Sequence, residues 1–174
     1  MSITIRPYAL GDAPALFEAA TESIPDAFAW LPWCHPGYRI DEAEAWVEKQ
    51  VGAFARAEEF GFVIQSPSGR LLGGCGINLL DRVHLRANLG YWVRSSAVGQ
   101  GVATAAAGLA AQWAFTHTAL VRLEIITTVT NIRSQRVAEK TGALREGVQH
   151  RRLLLHGTHH DAVLFALLRP AGSA

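Results

Sequence analysis

Val93-Arg94-Ser95-Ser96-Ala97-Val98-Gly99-Gln100-Gly101-Val102-Ala103-Thr104 is the stretch on which the fold turns. A run with strand character, Ala87 to Arg94 with Leu89, Tyr91 and Val93, enters it, and an Ala-rich apolar run to about Thr118 leaves it. It therefore reads as strand, small-residue loop, helix. Glycines let successive backbone N–H groups turn toward one concave point, and the helix N-terminus adds partial positive charge. Such a cradle holds a pyrophosphate with backbone donors instead of lysines. Ala103, Ala105, Ala106 and Ala107 keep the start of the helix slim enough for a bulky ligand. An ordinary Gly-rich strand–helix turn explains the same residues, and a motif this short does not choose between the two.

Working outward, a nicotinamide-type fingerprint would need a third glycine where Thr104 stands and an acid at the end of the next strand. Glu124 instead lies near the start of that strand, Leu123 to Thr128. A P-loop is excluded because no Lys-Ser/Thr pair follows the glycines. Downstream, Asn131 to Thr141 reads as a helix closed by Gly142. Ser134 and Ala138, four apart, share one of its faces. Asn131 stands at its mouth, placed to bond a ligand amide or to cap the helix. Val148 to Leu155 and Ala162 to Leu168, joined through His156-Gly157-Thr158, form a closing hairpin.

Upstream, Ser2 to Pro7 alternates as a strand, and Asp12 with Pro14 opens a helix carrying Leu16, Phe17, Ala20 and Ile24. Pro25, Pro32 and Pro36 break the next segment, where Phe28, Trp30, Trp33 and Tyr38 crowd a loop that either lines a pocket or caps the core. Asp41 opens a second helix to about Glu59, with Ala45, Trp46, Val51 and Phe54 as its buried stripe. Phe60 to Gln65 and Leu71 to Asn78 flank the turn Ser66-Pro67-Ser68-Gly69 as a hairpin. The pattern is a mixed α/β single domain over residues 1–174 with a largely antiparallel sheet.

Composition limits the partners. The 174 residues are 49% hydrophobic and 18% charged, and 16 Lys+Arg against 15 Asp+Glu leave a net charge of +1. A near-neutral surface argues against nucleic acid or an anionic membrane as partner. Two cysteines, Cys34 and Cys75, fit a reducing compartment. Met1-Ser2-Ile3-Thr4-Ile5-Arg6 lacks the pattern of a signal peptide, and Val102 to Phe115 is too short to span a bilayer, so the expected location is cytoplasmic. Cys75, in Gly73-Gly74-Cys75-Gly76, reads as a core thiol. In His156-Gly157-Thr158-His159-His160-Asp161, strand alternation sends His159 and His160 to opposite faces, so no metal is expected there.

Two motifs in order carry a resemblance. Val98-Gly99-Gln100-Gly101-Val102-Ala103-Thr104, then Arg122-Leu123-Glu124, then Asn131-x-x-Ser134-x-x-Val137-x-Glu139-Lys140-x-Gly142 resembles the GNAT superfamily of N-acetyltransferases. Within it the pattern is most similar to the RimJ/RimL-like branch, the ribosomal-protein-alanine acetyltransferase-like proteins. The likeness runs from the first strand through Trp30-Leu31-Pro32-Trp33 to Gly157-x-x-x-Asp161-x-Val163-Leu164-Phe165. It implies a mostly antiparallel central sheet of about seven strands flanked by about four helices, with acyl-CoA in the cleft between the central strands.

The resemblance also implies roles. Acetyl-CoA is the co-substrate, no metal is needed, and the acetyl group passes directly to an amine. Trp92 and Val93 would supply backbone contacts, the loop Val98 to Thr104 would take the phosphates, and Asn131 would bond the pantetheine arm. Ser134 would donate to the CoA sulfur. Trp30, Trp33, Tyr38 and Tyr91 would line the substrate pocket. Glu124 is the best available carboxylate for the amine's proton, its other reading being a surface ion pair with Arg122. The chain departs from the family pattern at Ser96, where Gln or Arg is common, at Ala138, where many members carry a Tyr acid, and at Leu153, where some branch members carry a Glu base. The acceptor is a protein N-terminal amine or a small amine such as a polyamine, amino acid or antibiotic. A homodimer is left open, and the rival of a different kind is a non-catalytic acyl-CoA-binding regulatory module.

Overall fold

A computed structural model describes residues 2–171. Met1 and residues 172–174, which belong to the expected domain and, for Met1, to the N-terminal stretch read above, lie outside the described residues. In chain order the elements are β1 (Thr4–Pro7), α1 (Ala13–Ala27), α2 (Ile40–Ala55), β2 (Phe60–Gln65), β3 (Leu71–Asp81), β4 (Arg86–Val93), α3 (Val102–His117), β5 (Arg122–Thr128), α4 (Ile132–Lys140), β6 (Leu144–Leu155) and β7 (Thr158–Leu168). The seven strands form one open sheet in the order β1-β2-β3-β4-β5-β7-β6. Every neighbouring pair is antiparallel except β4 and β5. The expected seven-stranded, mostly antiparallel sheet with four helices is therefore the observed fold.

The sheet is covered on both faces. On one, α3 presents Ala106, Ala107, Ala110, Ala111 and Ala114, whose short side chains let it lie close over Phe62, Ile64, Ile77 and Leu89. Each large side chain fully buried there contributes about 1.5–3 kcal/mol. Trp113 closes this core against Phe54, Phe60 and Phe62 at ring centroid separations of 5.5, 4.8 and 5.0 Å. On the other face α1 and α2 bury Leu16, Ala19, Ala20, Ala43 and Val47 against Val63 and Leu71. Cys34 and Cys75 are both buried and unbridged, and burial pushes the Cys75 thiol up to about 12.

Four local expectations need correction. Pro25 does not break the chain ahead of the loop; it sits inside the last turns of α1, where the fixed proline φ is compatible with helix. The second helix ends at Ala55, not near Glu59, because the chain turns through Ala57 at φ +54°. Its buried stripe is Ala43, Val47, Gln50 and Ala53, and Trp46 is 42% exposed. The last hairpin is longer than its alternation predicts: β6 begins at Leu144, and two register shifts between Arg145 and Leu153 blur the period of two. Its turn is His156-Gly157, both at positive φ (+49° and +76°), the geometry of a tight two-residue hairpin.

Candidate active site

β4 and β5 pair over three register positions only, Arg86 to Asn88 against Arg122 to Glu124. Beyond them the strands diverge, and a cavity of about 600 Å³ opens, lined by Leu89 to Val93 of β4 and Ile125 to Thr128 of β5. Side chains of α4 and of β6 close its far wall. Backbone polar groups on the diverging edges have no neighbouring strand on that side, so they are available to a ligand. The volume lies within the usual range for small-molecule sites.

The cradle read from the sequence stands at one end of this cleft. Val98, Gly99, Gly101, Val102, Ala103 and Thr104 all line it. Gly99 and Gly101 have φ of +80° and +78°, the left-handed region that favours glycine, and a Cβ at either would meet nothing within 4 Å. Conformation, not crowding, therefore requires glycine here. The first ladder bond of α3 runs from the Ala105 N–H to the Gly101 carbonyl, so the N–H groups of Val102, Ala103 and Thr104 precede the ladder and point out of the helix end. Gln100 does not line the cleft, because its side chain turns back to donate to the Ser96 carbonyl at 2.9 Å. Ala106 and Ala107 are buried against the sheet instead of flanking a ligand.

The loop is anchored from below. Arg94, 2% exposed, donates to Glu22 through Nε at 2.9 Å and also through Nη2. Its other bonds go to Glu18 at 2.7 Å and to the Leu71 carbonyl at 3.1 Å. Glu22 also accepts the Ser96 N–H at 2.7 Å. The hydrogen bond from Arg94 holds the Glu22 carboxyl down at about 2. α1 thus fixes both the end of β4 and the entry to the cradle.

At the other end stands α4. Asn131 caps it, its Oδ1 accepting the Ser134 N–H at 3.1 Å, which leaves the Nδ2 amide for other partners. The two sequence readings of Asn131 are thus compatible in one side chain. Ser134 faces the cleft, and the Tyr91 hydroxyl lies 3.2 Å from its Oγ while donating to its carbonyl at 3.0 Å. Burial pushes the Tyr91 phenol up to about 12, so it is a hydrogen-bond donor at neutral pH. Ala138 is fully buried and offers no polar group.

The structure gathers Trp30, Tyr91, Trp92, Val93, Asn131 and Ser134 on one cavity. Trp33 lies outside it and lines a second cavity behind β4. Tyr38 lines neither: it is buried between α1 and α2, with Phe17 at 6.2 Å and Trp33 at 5.9 Å, and belongs to the core. Glu124 also lines neither, being held by Arg122 at 2.8 Å and Arg86 at 3.4 Å, with Glu146 on the far side of Arg122 at 2.8 Å. The ion-pair reading fits that geometry, since the paired part of β5 carries Glu124 below the point where the strands part. Leu153 does line the cleft, so the wall carries an alkyl group there. The sequence reading missed Arg133, Arg136 and Lys140, which line the cleft from α4. Their spacing of three and four along one helix is the signal that could have found them. Among the described residues no group of three or more His, Cys, Asp or Glu is placed to hold a metal ion, and no helix is long and apolar enough to cross a membrane.

Comparison with known proteins agrees with this geometry. Residues 2–144 match the family model described as Acetyltransferase (GNAT) domain. The Bacillus subtilis (strain 168) protein named "Putative ribosomal N-acetyltransferase YdaF" is 37% identical over 101 residues, 58% of this chain and 55% of its own length. The chain thus spans about half the length of that relative. "Probable N-acetyltransferase YjcK" of the same organism is 31% identical over 134 residues, 76% of this chain and 70% of its own. The solved structure of Mycobacterium smegmatis RimJ in complex with CoA-disulfide is similar at a TM-score of 0.88 and 25% identity, over 95% of this chain and 81% of that one. The chain belongs to the GNAT acetyltransferase family, and the relatives above carry its likeness to the RimJ/RimL-like branch.

Proposed function

We propose that the chain, acting as one domain, transfers the acetyl group of acetyl-CoA to the α-amino group of a protein N-terminus. The observation that carries this reading is the cleft between the diverging strands, with a backbone anion cradle at one end and the Tyr91–Ser134 hydroxyl pair at the other. Acetyl-CoA supplies an activated acyl thioester. The N–H groups at Gly99 to Thr104 suit its pyrophosphate, and Arg133, Arg136 and Lys140 suit a further phosphate at the mouth. The Asn131 amide donates to the pantetheine arm. The Val93 N–H, on the edge of β4 turned away from β3, meets the acyl oxygen beside Trp92, where negative charge develops as the amine attacks. Ser134 Oγ donates toward the departing sulfur, with Tyr91 fixing its place on α4.

The acceptor follows from what the cleft lacks. Asp26 is its only carboxylate among the described residues, and it accepts a hydrogen bond from Ser95. With no strong base at hand the amine must arrive substantially neutral. An α-amino group, with a pKa of about 7.7–8.0, does so near neutral pH, whereas a side-chain amine near ~10.4 does not. The ribosomal acetyltransferase named among the relatives points the same way. The test is release of free thiol from acetyl-CoA across a panel of peptide N-termini, polyamines, amino acids and aminoglycosides. Peptide N-termini are expected to turn over with a rate that rises to a plateau above about pH 8. No release above the buffer rate with any amine would refute catalysis and leave a binding module.

A further inference from the structure

On the α1/α2 face of the sheet, behind β4, lies a second cavity of about 280 Å³ that the acyl-CoA reading does not use. It shares Leu31, Gly90, Tyr91 and Trp92 with the first. Three register partners on three strands, Gly61, Gly76 and Gly90, form its floor, and the Gln50 side chain covers Gly61. A Cβ on Gly90 would meet only Asn88 Nδ2, at 3.8 Å, so the inner end is open. Two inter-strand spacings, about 10 Å, separate Gly61 at the outer end from Gly90 on β4. Trp33, Trp46 and Trp92 line it, and Glu59 is its sole charged residue among the described ones.

An ammonium of the chain itself stands beside that outer end, against two of its lining residues. Lys49 Nζ lies 3.5 Å from Glu59 Oε1 and 5.4 Å from the centre of the Trp46 ring. Its side chain is 57% exposed, so the contact is weakly held and can be exchanged for another cation at Oε1, while Gln50 Nε2 donates to Oε2 at 3.1 Å and fixes the carboxylate in place. A carboxylate beside an indole face is a cation seat, since the ring's electron-rich face and the anion act on the same charge.

We propose that this cavity holds the arm of the acceptor, and that Glu59 with the face of Trp46 seats a second positive charge on it, two strands back from the β4 edge where the amine reacts. The inference rests on the amine-acceptor reading above. In a polypeptide acceptor the charge is a Lys or Arg side chain within about the first three residues; in a small acceptor it is the distal ammonium of a linear polyamine.

The test is a titration of the whole protein, read by tryptophan fluorescence, with Ala-Ala-Lys amide, Ala-Ala-Ala amide and a linear triamine. The basic tripeptide is expected to bind about 10-fold tighter than the neutral one, and that ratio to fall to about 1 in Glu59→Gln. Because the ratio compares two peptides on one protein, a loss of folded fraction cancels. Lys49→Ala, which removes the resident cation, should tighten the basic tripeptide severalfold. A triamine that outcompetes the basic tripeptide, and loses its advantage in Glu59→Gln, assigns the seat to polyamines and still supports it. Equal affinity of the two tripeptides together with no preference for the triamine overturns the proposal. Acetylation of the same compounds is scored separately: binding preference without thiol release would sink the catalytic reading and keep the cation seat, and thiol release without preference would do the reverse.

Discussion

Replacing Glu22 by Gln tests how the anion cradle is held in place. Arg94 is buried, and removing one partner of a buried ion pair costs about 3–5 kcal/mol because the other charge is left behind. Two facts reduce that figure here: Glu22 is itself 28% exposed on its side chain, and Glu18 remains as a second, 68% exposed partner. The expected loss is about 2 kcal/mol, a fall in Tm of roughly 4–8 °C for a chain of this size. The effect has a pH signature. The folded-state value of Glu22, about 2, lies below the ordinary carboxylate value, so its contribution is complete above about pH 4.5 and is lost as the pH falls from there toward 2. Urea denaturation of both proteins at pH 7, 5 and 3 should show a gap in midpoint that is widest at pH 7, little changed at pH 5 and cut to roughly half at pH 3. Because Glu22 also holds the Ser96 N–H, acetyl-CoA affinity measured by calorimetry should drop with it. A gap below about 0.5 kcal/mol, or one that does not change with pH, would refute this account of the anchor.

Saturating acetyl-CoA at ~100 times its Kd should stabilise the protein by roughly 2.7 kcal/mol in thermal melts, and Gly101→Val should abolish that shift, since a β-branched residue resists the φ of +78° found there. Ser134→Ala should slow acetyl transfer ~10- to 100-fold in single-turnover experiments with little change in acetyl-CoA affinity. Tyr91→Phe should produce a smaller loss of the same kind that stays constant between pH 6 and about 9, because the phenol remains protonated throughout that range. Glu124→Gln should cost about 1 kcal/mol of stability and leave single-turnover rates unaltered; a tenfold slowing would make Glu124 part of the proton path.

The family and the glycine loop on the cleft were legible because each depends on local chain chemistry: two glycines between a strand and an Ala-rich helix, then Asn131 and Ser134 at fixed spacing on the next. The parts that escaped depend on tertiary context. Apolar spacing placed Val51 and Phe54 of α2 against the core but also Ala45 and Trp46, whereas Ala43 and Val47 face in, since Trp46 and Val47 are both apolar and only the packed neighbour decides between them. Alternation lost β6 ahead of Val148, where register shifts interrupt it. Tyr38 looked like its loop neighbours Trp30 and Trp33, yet the three go to the core, the main cleft and the second cavity in turn. Ser134 was found, but its bond to Tyr91 joins residues 43 positions apart, and no local pattern announces that. The Arg94–Glu22 anchor was invisible for the same reason.

The three-position junction of β4 with β5 has a mechanical meaning. Every other adjacent pair in the sheet shares at least four register positions, so the sheet is two leaves, β1 to β4 and β5 to β7, joined at a narrow seam. An extended ligand lying in the gap is bonded from both sides, as an inserted strand would be. Without it the leaves can open locally at low cost; with it they must open together. Hydrogen exchange at the gap-facing, alternate amides of Leu89 to Val93 and Ile125 to Thr128 should therefore be fast in the free protein and slow sharply on loading, while amides in the middle of β2 and β7 scarcely change. The acyl donor then does for this sheet what a strand does for others: it decides whether the two leaves unfold as one body or as two.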